Sequence, residues 1–208
     1  MVFSDRVEAG ELLAEKLKKY QGKKAVIFAL PRGGVITGSA ISKKLNLPLD
    51  ILIIRKIGHP ANPEYALCAS SLNHLVCDEK ELESVDKAWF KEELERQKKR
   101  AEGQYLLYLG NKKPASAKGA VAIIVDDGIA TGLTIKAAIR EIKNQKPEKT
   151  IIAVPVTPEN VARELENEVD EFITLNTPRF YAGSVGAYYD FFPQVTDEEV
   201  IQILSQDI

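Results

Sequence analysis

The stretch Val121-Ala122-Ile123-Ile124-Val125-Asp126-Asp127-Gly128-Ile129-Ala130-Thr131-Gly132-Leu133-Thr134 decides the fold. Its first five residues are apolar and four of them are β-branched, which predicts a strand buried on both faces of a sheet. Two adjacent carboxylates, Asp126 and Asp127, then stand where that strand leaves the sheet, and nothing in folding requires them there. A short loop of small and hydroxyl residues follows. It opens into Thr134-Ile135-Lys136-Ala137-Ala138-Ile139-Arg140-Glu141-Ile142, whose apolar spacing predicts an amphipathic helix. The loop amides therefore lie at a helix N-terminus, where unpaired N–H groups and the positive end of the helix dipole favour an anion, with Thr131 and Thr134 as added hydroxyl donors. Phosphate fits such a turn. Two carboxylates beside it would repel a phosphate, so they suit neutral hydroxyls, or a divalent cation that arrives with the ligand. A sugar phosphate meets both conditions.

Outward from this stretch the elements alternate. Ser4 is placed to cap a first helix running to about Tyr20, with Val7, Leu12, Leu13 and Leu17 on one face. Residues 24–30 form an apolar strand, Pro31-Arg32-Gly33-Gly34 a turn, and about Val35 to Lys44 a helix. Residues 49–55 are expected to be the next strand, followed by a loop punctuated by Gly and Pro from Gly58 to Pro63 and by shorter strand-like pieces from Ala66 to Val76. A long charged helix covers about Val85 to Leu107, most simply as a solvated face laced with ion pairs, and residues 111–118 are a polar connector. Strand 150–156, a helix from about Pro158 to Glu166, a short strand over 171–174 and a terminal helix over 195–204 with Thr196 as its cap complete the series. The alternation predicts an α/β fold with a mostly parallel, doubly wound sheet, one domain spanning 1–208, and a ligand outside the carboxyl ends of the strands. Pro31 to Gly34, Arg55-Lys56 and Asp126-Asp127 each fall at a strand end, so all are expected at one crevice.

Composition limits the function classes. The 208 residues suffice for one sizeable core. Lys and Arg number 28 against 30 Asp and Glu, a formal net charge of -2, so no global basic field favours nucleic acid or an acidic membrane surface, and any phosphate binding is local. No apolar run approaches the ~20 residues of a membrane helix, and the N-terminus lacks the layout of a signal peptide. Cys68 and Cys77 have no metal-ligand spacing; two cysteines in a chain of this length point to reduced thiols rather than a structural disulfide, and to a cytoplasmic setting.

The acidic-acidic-x-apolar-small-Thr-Gly-x-Thr pattern after an apolar strand resembles the phosphoribosyl pyrophosphate (PRPP) motif of type I phosphoribosyltransferases. The element order and the Pro-Arg-Gly-Gly and Arg-Lys-apolar-Gly segments resemble a bacterial branch of that family over most of the chain. The resemblance implies the type I fold with a small hood, here residues 178–208. It implies transfer of a 5-phosphoribosyl group from PRPP to a nitrogen acceptor, such as a nucleobase, with release of pyrophosphate. Asp126 and Asp127 would then be the catalytic pair that holds the ribose hydroxyls, and Gly128, Ile129, Ala130, Thr131, Gly132 and Thr134 would wrap the 5′-phosphate. Gly128 departs from the family, which usually has an aliphatic residue there; glycine permits a different bend.

Further roles follow from the same resemblance. Arg32, Gly33 and Gly34 would bind the diphosphate, with a non-proline cis peptide between Arg32 and Gly33, and Arg55 and Lys56 would assist beneath a flap over 57–65. Two glycines let backbone approach phosphate closely, and an arginine adds a bidentate donor. His59 is better read as a loop histidine than as a catalyst. In the hood, Tyr181, Tyr189 and Phe191 are candidates to stack on the acceptor, although core packing explains the same aromatics. Mg²⁺ would be held through PRPP and not by a direct protein cage. The partners implied are PRPP and a small-molecule acceptor, with no nucleic acid and no membrane, and a homodimer is allowed for. Two other readings compete: a non-catalytic PRPP-binding regulatory protein, and a phospho-acceptor receiver domain, which would carry its acids at the first strand and lack the Thr-Gly-x-Thr loop.

Overall fold

The computed structural model describes residues 1–71 and 73–207, without the side chains of residues 63, 64 and 207; Leu72, within the expected strand-like segment, and Ile208, at the end of the expected hood, lie outside the described residues. Strand β6 (Val121–Val125) is buried along its whole length, as its β-branched run requires. It lies between β1 (Ala25–Ala29) and β7 (Lys149–Val156), parallel to both, in a five-stranded sheet of order β2-β1-β6-β7-β8 with β2 at Leu49–Ile51 and β8 at Glu171–Asn176. Side chains alternate across this sheet. Ile123 and Val125 enter one core with helices α1 (Arg6–Leu17) and α2 (Gly33–Leu45), while Ala122 and Ile124 enter the other with α5 (Leu133–Asn144) and α6 (Glu159–Glu166). The sheet is thus doubly wound, as expected, and the strand order reverses between β1 and β6. Ligands in such sheets bind outside the carboxyl ends at that switch point, here the tips after Ala29 and Val125.

A second, antiparallel sheet of β3 (Arg55–His59), β4 (Asn62–Ser70) and β5 (Leu75–Cys77) stands beside the first. The expectation of one strand over 49–55 is corrected here. Strand β2 is an edge strand with β1 as its one neighbour, and β1 ends at Ala29. Leu52 donates the last ladder bond to the Ala29 carbonyl, and the Ile53 amide turns to the Tyr105 hydroxyl on α4 (Lys87–Leu109), so the chain leaves the sheet and begins a hairpin at Arg55. Helix α3 (Glu79–Leu82) joins β5 to α4. Ile57, Leu67 and Val85 form a small apolar cluster with Trp89, Phe90 and Leu94 of α4, and Ala69 and Val76 pack on Ala137 of α5. The hairpin therefore hangs between α4 and α5, next to the start of α5.

Two further expectations are revised. Cys68 and Cys77 are joined in a disulfide across β4 and β5. They occupy directly opposed positions in the antiparallel register, with Cα atoms 4.0 Å apart, a proximity set by the hairpin pairing that sequence spacing does not reveal. The first helix is capped by Asp5 rather than Ser4: the Asp5 carboxylate accepts from the Val7 and Glu8 amides at 2.8 and 2.9 Å. Thr196 does cap the last helix, α7 (Asp197–Asp207), in a reciprocal box in which its hydroxyl accepts from Glu199 N and its own amide donates to the Glu199 carboxylate. Helix α7 packs against α2 through Val200 and Leu204. Among the described residues no helix is long and apolar enough to cross a membrane.

Candidate active site

Asp126 and Asp127 emerge from β6 at the switch point, and the loop after them is tied down at once, because Ile129 donates its amide to the Val156 carbonyl at the end of β7 and turns its side chain into the core. Gly132, at φ +80°, is the N-cap of α5, a left-handed conformation that glycine adopts at no steric cost. The first amides of α5 have no intrahelical partner and face outward with the dipole's positive end behind them. A cavity of about 150 Å³ lies against this turn. Residues 128–132, Thr134 and Asp126 line it, with Lys56 from β3 and Val185 from the segment after β8. The volume equals roughly five waters, room for one phosphate group. The structure thus brings the acidic strand end, the whole expected phosphate loop and one cation together. No three His, Cys, Asp or Glu side chains among the described residues converge as a metal cage.

Gly128 departs from the family pattern for a reason visible in packing. A Cβ on it would fall 2.5 Å from Val185 Cγ1 and 3.0 Å from Val156 Cγ1. Val185 occupies the place an aliphatic side chain at 128 would take, so the apolar cover of the turn is supplied from elsewhere in the chain.

The acids are held unequally. Asp126 Oδ1 accepts from the Asp127 amide at 2.8 Å, and burial, with the charge of Asp127 as the next cause, pushes its carboxyl well above the usual carboxylate range. Asp127 is paired instead. Arg6, the first residue of α1, places Nε 2.7 Å from Asp127 Oδ2, with the two side chains 7% and 15% exposed. Arg6 Nη1 donates to the Pro193 carbonyl at 2.9 Å, and the guanidinium lies 3.6 Å from the centre of the Phe192 ring. Arg6 is absent from the sequence-derived site. One signal pointed to it: a cation in the first turn of a helix opposes the helix dipole, so an arginine there calls for a partner outside the helix.

The Pro-Arg-Gly-Gly turn meets the acids directly. A Cβ on Gly33 would fall 1.8 Å from Asp127 Oδ2, and one on Gly34 would fall 2.9 Å from Asp126 Cα. The two glycines are therefore where α2 passes under the acidic pair. The cis peptide lies between Pro31 and Arg32, one bond before the expected place; Gly33 already begins α2, whose helical geometry takes trans bonds. The Arg32 side chain extends toward α7, 3.9 Å from Asp197 Oδ1.

Arg55 and Lys56 are neighbours on a strand and so point to opposite faces. Lys56 faces the loop cavity, whereas Arg55 turns to α4, with Nε donating to Gln97 at 3.2 Å and Nη1 to Gln104 at 3.4 Å. The structure does not bring Arg55 to the phosphate loop. His59 caps its own turn, accepting from the Ala61 amide.

The hood aromatics divide in the same way. Tyr189 is buried and donates its hydroxyl to the Asp127 carbonyl at 2.6 Å; burial first, and then the Asp127 charge, raise its phenol. Tyr181 stacks on Tyr188 at 5.5 Å between ring centres, and its hydroxyl is buried with no hydrogen-bond partner among the described residues. Phe191 is 66% exposed and Phe180 is 90% exposed.

The family model for the phosphoribosyl transferase domain matches residues 6–191. This chain belongs to the type I phosphoribosyltransferase family. The match begins at the arginine that pairs with Asp127. The Mycobacterium tuberculosis protein Rv0571c, provisionally named a phosphoribosyl transferase, is 36% identical over 213 residues, an alignment covering 99% of this chain and 47% of that protein. The chain thus spans about half the length of the curated relatives it matches. The crystal structure of TT1426 from Thermus thermophilus superposes with a TM-score of 0.84 at 36% identity, covering 100% of this chain and 99% of that one. A hypoxanthine-guanine phosphoribosyltransferase from Bacillus anthracis is 13% identical with a TM-score of 0.50, covering 92% of each chain, and shows the shared fold alone.

Proposed function

We propose that this transferase moves the 5-phosphoribosyl group of PRPP to a nitrogen acceptor and releases pyrophosphate. One observation carries the reading: Asp126, the first of an acid pair suited to sugar hydroxyls, and a helix-N-terminal turn suited to a monoester line the same cavity at the switch point of the sheet, with Asp127 next to Asp126 and over Gly33. Asp126 and Asp127 hold the ribose, residues 128–132 and Thr134 hold the 5′-phosphate, and Lys56 adds charge at the loop. In this reading Arg32, Gly33 and Gly34 would contact the departing diphosphate, Arg32 by swinging from its place beside Asp197, and any effect of Arg55 is transmitted through α4. Electrostatic positioning of a departing diphosphate is the main contribution such groups make. Mg²⁺ fits this donor set as a guest of the diphosphate, where it would neutralise charge on the leaving group. Residues 1–208 form one transferase unit in this reading, with a hood from residue 178, a small-molecule acceptor, a cytoplasmic setting and a homodimer as further parts of the proposal.

The buried, unpartnered Tyr181 hydroxyl is the polar handle the hood offers to an acceptor. The outward aspect of Phe191 and Phe180 favours the second reading, a PRPP-binding regulatory protein without turnover. Incubation with PRPP, Mg²⁺ and a panel of nucleobases separates the two. Pyrophosphate release that Asp127→Asn abolishes supports transfer; PRPP binding by calorimetry without release on any base supports regulation; no PRPP binding overturns both.

A further inference from the structure

We propose that Arg6 is a positioning residue for the ribose-binding acid: it fixes the Asp127 carboxylate in the orientation from which it meets the sugar hydroxyls, and it ties that orientation to the turn at Phe192 and Pro193. The inference rests on the PRPP reading and assigns a role within the same site to a residue that the loop motifs do not contain.

Three contacts define the Arg6 side chain: Nε on Asp127 Oδ2 at 2.7 Å, Nη1 on the Pro193 carbonyl at 2.9 Å, and Cζ over the Phe192 ring, 3.6 Å from its centre. A planar fork can satisfy all three at once, and a lysine ammonium cannot. With both side chains largely buried, the pair is little screened by solvent, so it holds one geometry rather than many. The cation stands in the first turn of α1 against the helix dipole, a local cost that the partner just past the end of β6, 121 residues away, offsets. The neighbour on the other side offers no substitute: the Asp126 carboxyl is itself raised, by desolvation and then by the Asp127 charge, so it supplies no cation to hold Asp127 in place of Arg6. Arg6 and Asp127 both lie outside the lining of the loop cavity, so the inference requires the phosphate turn to keep its affinity when Arg6 is replaced.

That requirement supplies the test. Ribose 5-phosphate uses the acid pair and the loop, whereas inorganic phosphate uses the loop alone. Both affinities are measured by calorimetry on the whole chain for the wild type, Arg6→Met, which keeps an apolar stem against Phe192, and Arg6→Lys, with a melting curve for each. The expected result is that Arg6→Met loses roughly 10- to 100-fold in ribose 5-phosphate affinity, the range of a charge-assisted hydrogen bond, with unchanged phosphate affinity and partial recovery in Arg6→Lys. A variant that keeps the full preference for ribose 5-phosphate overturns the inference, and so does an equal fall in both affinities, which marks Arg6 as holding the fold only. Should Arg6→Met not fold, Arg6→Gln carries the same comparison. A wild-type protein with no preference for ribose 5-phosphate over phosphate overturns the PRPP reading itself, which is a separate outcome.

Discussion

Gly33 passes so close beneath Asp127 that a methyl group on its α-carbon would lie 1.8 Å from Oδ2 and 2.9 Å from Arg6 Nε. The movable group in that contact is the carboxylate itself. Gly33→Ala is therefore expected to push Asp127 off Arg6 and to behave as an Asp127 variant, with PRPP affinity down at least tenfold and a stability cost of about 1–3 kcal/mol from overpacking. Calorimetry with PRPP beside a denaturant curve checks both; a Gly33→Ala variant that binds PRPP normally would show that the acid has a second workable position.

Asp126 predicts a pH dependence. Its carboxyl is raised by burial and by Asp127, so the folded state holds that proton more tightly than the unfolded chain, whose value is about 3.9. The sign follows: as pH climbs from about 4 toward the raised value, stability falls, by at most about 1.4 kcal/mol per pH unit inside the window. Asp126→Asn removes this loss while keeping an oxygen for the Asp127 amide. Its melting temperature should rise relative to wild type between pH 4 and pH 8, by about 2–4 °C for each kcal/mol regained. A gap that stays constant with pH would place the raised group elsewhere.

The opposed aspects of Arg55 and Lys56 separate two effects that sequence adjacency merges. Lys56→Gln is expected to weaken inorganic phosphate binding by on the order of 1 kcal/mol and to leave the melting point unchanged, since Lys56 is exposed at the loop cavity. Arg55→Gln should do the reverse, because its partners Gln97 and Gln104 belong to α4. Equal effects on phosphate would mean that the hairpin rotates when ligand binds.

Closing a loop between residues nine apart, the Cys68–Cys77 bond restrains the hairpin by about 2–3 kcal/mol at most in a chain-entropy account. Reduction by a dithiol should speed amide exchange in β4 and β5 by up to about 100-fold and leave β6, protected by parallel neighbours on both sides, untouched. Unchanged exchange in β4 would mean that packing on Val85 and Leu94 holds the hairpin alone.

What could be read from the chain, and what could not, divides by the range of the interaction. The strand, loop and helix over 121–144 were legible because local signals agree there: a β-branched run, then small residues, then apolar spacing at helical period. The doubly wound sheet followed from alternation. The departure of the chain from the sheet after Ile51 was not legible, since Leu52, Ile53 and Ile54 are as apolar as a strand, and the ladder ends because β2 lies at the sheet edge beside β1, which stops at Ala29. The Cys68–Cys77 bond depends on hairpin register, and the Arg6–Asp127 pair spans 121 positions, so neither leaves a local trace beyond the misplaced charge at the helix start.

Helix α1 reaches the acid pair only because it lies almost against the backbone of α2. A methyl group on Gly10 would come within 2.6 Å of the Thr37 carbonyl oxygen and 2.7 Å of the Ala40 side chain. A larger residue there meets the backbone of α2 and has to part the two helices, with Arg6 one turn away on the displaced one. The tolerance of the chemistry is thereby tied to a position that meets no ligand, because the spacing at which two helices cross governs where the guanidinium meets its carboxylate.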